Sequence, residues 1–181
     1  MGPAHVAAVA DASVLILLGR IGRLDLLGHM FHDVSMPPAV ERETVAATPH
    51  RFDAQTIRAA IARGGIRVAA PPPAQVQRIR AAYPELGDGE AEALSLARPP
   101  TVVLLDDRFA RKVAQLEGIE AIGTLGILGR AFQAGLVDRD ECQRLLEQLL
   151  RNGLWVSGEL VEAFWRALGG RPSSEPSRHR T

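Results

Sequence analysis

Short apolar runs alternate with amphipathic stretches along this chain, the pattern of buried strands separated by helices. His5 to Ala10 reads as a first strand ending at Asp11, and Ala12 to Leu18 continues as a buried helix with Asp11 as a ready N-cap. A short helix, Leu24 to Met30, precedes a small strand, Val34-Ser35-Met36. Pro37-Pro38 then opens a helix to about Val45, because the fixed φ of proline suits a first helical turn. Ala54 to Ala62 is a further helix and Ile66 to Ala69 a strand. Pro71-Pro72-Pro73 breaks the chain before a helix over Ala74 to Ala82.

In the second half, Gly87-Asp88-Gly89 introduces a helix of small, acidic and apolar residues from Glu90 to Ala97, for which Asp88 is the expected N-cap. Thr101 to Leu105 is a β-branched and aliphatic run bounded by Pro99-Pro100 and Asp106, which predicts a strand buried on both faces. A helix over Arg108 to Leu116 leads through Gly118 to a short strand, Glu120-Ala121-Ile122. Strands alternating with helices imply a parallel sheet. In Gly123-Thr124-Leu125-Gly126-Ile127-Leu128-Gly129 the glycine spacing is not that of a dinucleotide loop. Leu125, Leu128, Ala131 and Phe132 instead form a helix stripe whose glycines permit close packing. Asp138 with Glu141 makes a start of capping-box type for a helix over Arg139 to Leu150, and Glu159 to Leu168 is a last helix that serves packing.

Composition narrows the class. The chain has 181 residues, 46% of them hydrophobic, which fits one globular domain over residues 1–170. The polar tail at 171–181, RPSSEPSRHRT, has nothing to bury and is expected to be disordered, with a minor share in RNA binding. Lys+Arg and Asp+Glu both count 21, so no overall charge announces a nucleic-acid partner. Cys142 is the one cysteine and has no disulfide partner. The N-terminus lacks the basic start and apolar run of a signal peptide, and Val14 to Leu18 is far too short for a bilayer, which takes about 20 residues. A cytoplasmic protein without a membrane segment is the expectation. His29 and His32 lack further ligands for zinc. No Gly-x-Ser-x-Gly elbow appears, and Cys142 has no adjacent histidine, which leaves serine and thiol catalysis without a foothold.

The candidate chemistry lies in acids far apart in the chain: Asp11, Glu43, Glu90 and the pair Asp106-Asp107, each at a strand end or a helix turn. Mg²⁺ and Mn²⁺ are held by a few carboxylates that leave room for water and a phosphate oxygen. Asp11 would stand at the carboxyl edge of a parallel sheet, where ligands of open α/β folds bind. Each acid also has a plainer account. Asp11 and Asp107 are good caps, Glu90 suits a first helical turn, and Glu43 taken alone is a solvated surface charge. Asp106 is favoured as the inward member of its pair, and Ser13 stands where it can hydrogen-bond a ligand carboxylate or merely open a helix. Arg108, Arg111 and Lys112 begin the helix beside Asp106, placed to meet phosphates or to form a solvated face.

Taken together, these stretches resemble the PIN-domain family of metal-dependent ribonucleases, from Val6 to about Leu168. Val9-Ala10-Asp11-Ala12-Ser13 is similar to the family's first strand with its acid and hydroxyl residue. A PIN-like subgroup of poorly defined function is closer still. That likeness runs through Ile21-Gly22-Arg23-Leu24-Asp25-Leu26-Leu27, Met36-Pro37-Pro38-Ala39-Val40 with Glu43, Gly89-Glu90-Ala91-Glu92-Ala93, Leu105-Asp106-Asp107-Arg108 and Gly123-Thr124-Leu125-Gly126.

The resemblance implies a three-layer α/β/α sandwich around a mainly parallel sheet. It implies a catalytic set of Asp11, Glu43, Glu90 and Asp106, with Mg²⁺ or Mn²⁺ on Asp11, Glu90 and Asp106 and with Asp107 as a reserve ligand. The implied reaction is hydrolysis of single-stranded RNA to a 5′-phosphate and a 3′-hydroxyl. The implied setting is that of a toxin with a small antitoxin partner, commonly as a homodimer. Two departures matter. Glu90 stands where the family usually has Asp, and Leu104 stands where it often carries Thr or Ser. Both keep alive a catalytically weak or inactive scaffold or protein-binding module. Phosphotransfer through Asp11, the other enzyme class weighed, needs a second Asp where this chain has Ser13.

Overall fold

The structure, a computed structural model, describes residues 6–170. Five parallel strands form one sheet in the order β3-β2-β1-β4-β5. They are β1 (Ala8–Ala10), β2 (Val34–Met36), β3 (Arg67–Val68), β4 (Val102–Leu104) and β5 (Ala121–Ile122). Between and after them run α1 (Ala12–Arg20), α2 (Asp25–Met30), α3 (Pro38–Glu41), α4 (Phe52–Ala62), α5 (Pro73–Ala82), α6 (Asp88–Leu96), α7 (Arg108–Leu116), α8 (Thr124–Gln133), α9 (Arg139–Arg151) and α10 (Gly158–Ala167). The expected α/β/α sandwich is therefore the architecture found. His5 and the tail at 171–181 lie outside the described residues.

Alternation along the central strands sorts the core into two layers, since successive side chains of a strand face opposite sides of a sheet. Ala8, Ala10, Val102 and Leu104 join the larger cluster, with Leu15, Leu18, Ile57, Ile127 and Leu149. Val9, Val103 and Leu105 join the smaller one, with Leu94, Ala110 and Val113. All four residues Val102 to Leu105 are buried, as a strand covered on both faces requires.

Two local readings of the sequence need correction. The N-cap of α6 is Gly87 rather than Asp88, because the Glu90 carboxylate swings back to accept the Gly87 amide at 2.9 Å, while Asp88 pairs with Arg80. Asp138 does cap α9, accepting the Glu141 amide at 2.7 Å, but the reciprocal half of the capping box is absent. The Glu141 carboxylate instead takes Arg23 at 2.5 Å. Helix α10 buries only a narrow stripe, with Trp165 and Leu168 inward and Leu160 half open, so packing accounts for part of its surface. The aromatic residues near the end divide accordingly: Trp165 is core, and Trp155 is 90% exposed.

Candidate active site

Strand β1 is where the chain changes direction across the sheet: β2 and β3 lie to one side of it, β4 and β5 to the other. Crossover helices leave a crevice at the carboxyl ends of two such strands, which is where open parallel sheets bind ligands. The Asp11 amide donates to the Leu104 carbonyl at 3.0 Å, joining the ends of β1 and β4 beneath that crevice. Asp11 caps α1 and is 5% exposed. One of its oxygens accepts both the Ser13 hydroxyl (3.0 Å) and the Ser13 amide (3.3 Å). Ser13 thus makes the contact to Asp11 that its spacing allowed.

Asp106 and Asp107 part in the way the pair was read. Asp107 caps α7 by accepting the Ala110 amide at 2.8 Å. Asp106 is half-buried and clamped by Thr124, whose amide donates to one carboxylate oxygen at 2.8 Å and whose hydroxyl donates to the other at 2.6 Å. Gly123 makes room for this. A Cβ there would lie 2.9 Å from Asp106 Oδ1 and 3.0 Å from Arg111 Nη1. Arg111 itself donates to the Leu105 carbonyl at 3.0 Å.

Glu43 and Glu90 reach the crevice from the other side. The helix opened by Pro38 widens after Glu41 into a π-helical turn, Arg42–Ala46, closed by the Ala47 amide on the Arg42 carbonyl at 2.9 Å. Such turns re-aim side chains and recur at functional sites. Here Thr44 and Val45 go inward while Glu43 stays open to solvent beside Gly89. A Cβ on Gly89 would lie 3.0 Å from Glu43 Oε2, so glycine lets α6 approach this carboxylate closely. Glu92 fixes the two helices together. Its carboxylate accepts the Ala39 amide at 2.9 Å, capping a helix whose own cap residue, Pro37, has no side-chain acceptor.

These carboxylates feel one another. Burial, then more weakly the charge of Asp106, pushes Asp11 above its ordinary value, against hydrogen bonds from Ala12 and Ser13 that pull it down. Glu43 is raised by desolvation and then by Asp11. Glu90 is raised by desolvation and, after the opposing Gly87 amide, by Asp11, Asp107 and Glu43. Among the described residues, none of Asp11, Glu43, Glu90 and Asp106 has an ion-pair partner.

Hard carboxylate oxygens sharing one field, with no ion-pair partner among the described residues, are a donor set that suits Mg²⁺ or Mn²⁺. Yet among the described residues no three His, Cys, Asp or Glu side chains converge as ligands of one ion. Glu90 is turned to the Gly87 amide and Asp106 to Thr124. The four acids thus lie near enough to feel one another's charge without closing on a point.

Arg108, Arg111 and Lys112 line a cleft of about 570 Å³ with Gln115, Gly118 and Ala121. Among the described residues, Arg108 and Lys112 have no ion-pair partner. Burial pushes the Cys142 thiol to about 11, so it is protonated at neutral pH.

The sequence reading passed over Thr124 and Glu92 as residues of this site. Thr124 was visible as a hydroxyl residue directly after a short strand and a glycine, a helix start. Nothing local in the chain signals that Glu92 reaches Ala39.

Fold and crevice together define a parallel α/β domain with an acidic site at its switch point. A family model described as a PIN domain matches residues 7–170, and the chain belongs to the PIN-domain family. The family is one of nucleases with a nuclease-type fold, generally hydrolases that use divalent metals. No curated protein sequence matches the chain. No helix among the described residues is long and apolar enough to cross a membrane.

Proposed function

We propose that this protein is a divalent-metal-dependent ribonuclease that hydrolyses phosphodiester bonds of single-stranded RNA. The observation that supports the reading is that Asp11, Glu43, Glu90 and Asp106, from four separate elements, feel one another's charge and have no ion-pair partner among the described residues. Asp11, Glu90 and Asp106 would hold Mg²⁺ or Mn²⁺. Such an ion would lower the pKa of a water bound to it, so that the water could lose a proton and act as the nucleophile, and would offset the charge on the leaving oxygen.

The chain's own residues do the rest. Ser13 and Thr124 orient the Asp11 and Asp106 carboxylates, and Glu43 adds negative charge on the far side of the crevice. Asp107, spent on its cap, stands by as a reserve ligand. Arg108, Arg111 and Lys112 meet backbone phosphates beside the crevice even though the protein is neutral overall. The toxin role, the small antitoxin partner, the homodimer and the cytoplasmic setting are proposals that rest on family membership.

One observation favours a second reading, a scaffold or protein-binding module with little or no catalysis. Both Asp106 oxygens already accept from Thr124, and no three acids converge. Cleavage of a mixed pool of single-stranded RNAs in Mg²⁺, Mn²⁺ or EDTA, beside Asp11→Asn purified identically, separates the two. Metal-dependent cleavage lost in the variant supports the nuclease. Absence of cleavage together with absence of metal binding by calorimetry sinks it.

A further inference from the structure

Trp155 is 90% exposed in the stretch between α9 and α10. It is held there by its neighbours. Leu154 is buried and its amide donates to the Leu149 carbonyl at 2.9 Å, while Val156 packs on the larger core cluster. In extended chain, two inward neighbours turn the residue between them outward. A tryptophan anchored in water keeps both faces of its ring free for contact.

Trp155 lines a groove of about 960 Å³ that runs from Asp106 across β5 and α8 to α10. Its lining carries Arg108, Arg111 and Arg130, the last paired with Glu120 at 2.6 Å, together with the acids Asp106 and Glu159 at its ends. Its floor is low because Gly126 and Gly129 have no side chains, and Phe164 lies close enough that a Cβ on Gly129 would be 3.3 Å from its ring. This volume is at the upper end for small-molecule sites, enough for a run of chain rather than one mononucleotide. An exposed ring, the guanidinium groups of Arg108 and Arg111 with no ion-pair partner among the described residues, and an end at Asp106 are the components of a single-strand track, in which arginines follow the backbone and an aromatic ring takes a base.

We propose that Trp155 is a stacking platform for one base of a single-stranded nucleic acid that lies in this groove and leads to Asp106. The inference rests on the nuclease reading for its direction toward the crevice, but its own content is binding. Every base has a face to stack, so Trp155 confers grip and length preference rather than a sequence code.

The test is the affinity of the full chain for a labelled single-stranded oligoribonucleotide bearing 2′-O-methyl groups, with the same strand as a duplex for comparison. Wild type is measured beside Trp155→Ala and Trp155→Phe. Expected are roughly 10-fold weaker single-strand binding by Trp155→Ala, substantial rescue by Trp155→Phe, little change for the duplex, and loss of the tryptophan quenching seen on binding. Full single-strand affinity in Trp155→Ala, with cleavage by wild type intact, overturns the track and spares the nuclease. Conversion of a dimer to a monomer by Trp155→Ala at unchanged affinity also overturns it, in favour of a protein interface. Trp155-dependent binding with no cleavage in any metal upholds the track and removes the nuclease. Absence of binding by wild type overturns both.

Discussion

Thr124 holds Asp106 by both ends, its amide on one carboxylate oxygen and its hydroxyl on the other. Leu104 occupies the position where the resemblance implied a hydroxyl, and Thr124 supplies one to the same acid from the next strand–helix connection. Thr124→Val keeps the shape and removes one donor. Thr124 is fully buried, so stability should fall by about 1 kcal/mol. Metal affinity or cleavage should fall roughly 10- to 100-fold, as for residues that orient ligands. Titration calorimetry with Mn²⁺ and a chemical melt measure the two effects separately. Unchanged metal affinity would show that Asp106 needs no such clamp.

Asp11→Asn should act in opposite directions with and without metal. The folded Asp11 carboxyl lies above its ordinary value of 3.8. Folding therefore takes up a proton between that value and the raised one, and the charged form costs stability at neutral pH. Asparagine removes the charge and still caps α1. In EDTA at pH 7 the variant should melt higher than wild type, and the difference should shrink as pH falls through the raised value. In Mn²⁺ the order should reverse, because the ion stabilises only the protein that binds it. A variant that melts lower than wild type in EDTA at pH 7 would contradict the cost of burying the Asp11 charge.

Gly123→Ala tests the space rather than the donors. The added methyl would sit 2.9 Å from Asp106 Oδ1, so the carboxylate or the Arg111 guanidinium must move. Cleavage should drop at least about 10-fold, since small misplacements at a reacting centre are expensive. The melting temperature should change only a little. Comparable loss of activity and of fold would instead assign Gly123 to the core.

Arg108 and Lys112, neither paired among the described residues, predict a salt effect. Single-strand affinity plotted against salt on logarithmic axes should flatten by about 0.7 for each charge removed in Arg108→Ala and Lys112→Ala. Equal slopes for wild type and both variants would remove these residues from the phosphate path.

A pH effect away from the site comes from Glu117. Arg78 holds its carboxyl below the usual 4.5, helped by the Tyr83 hydroxyl against partial burial. A depressed carboxyl gives stability that is present above the unfolded value and lost as pH falls through the folded one. Glu117→Gln should therefore narrow the gap to wild type below pH 4.5. A constant difference down to pH 3 would count against the ion pair.

What the chain revealed in advance was whatever depends on neighbours in sequence. The continuous apolar run over Thr101 to Leu105, the proline start at Pro37-Pro38 and the cap at Asp107 are local physics, and each element lies within a few residues of its reading. Asp11, Glu90 and Asp106 were nameable because each ends a strand or opens a helix, whereas Glu43, inside a helical segment, stood out only through the family resemblance. Contacts made at a distance were hidden. Glu92 reaching Ala39, Glu141 choosing Arg23 over its own helix, and the close approach of α6 to Glu43 at Gly89 depend on how helices pack, which periodicity does not encode. The π-helical turn carrying Glu43 was hidden for another reason: one extra residue in a turn leaves the composition of the segment unchanged.

The pairing of Ala8 with Val102 sets an order on biosynthesis. A chain leaving the ribosome exposes Asp11 early, yet β4, Asp106 and the Thr124 that pins it emerge only after most of the molecule has been made. Until then β1 has no neighbour on that side and the crevice has one wall. An unfinished chain that ends before Thr124 therefore has Asp106 without the donors that fix its carboxylate.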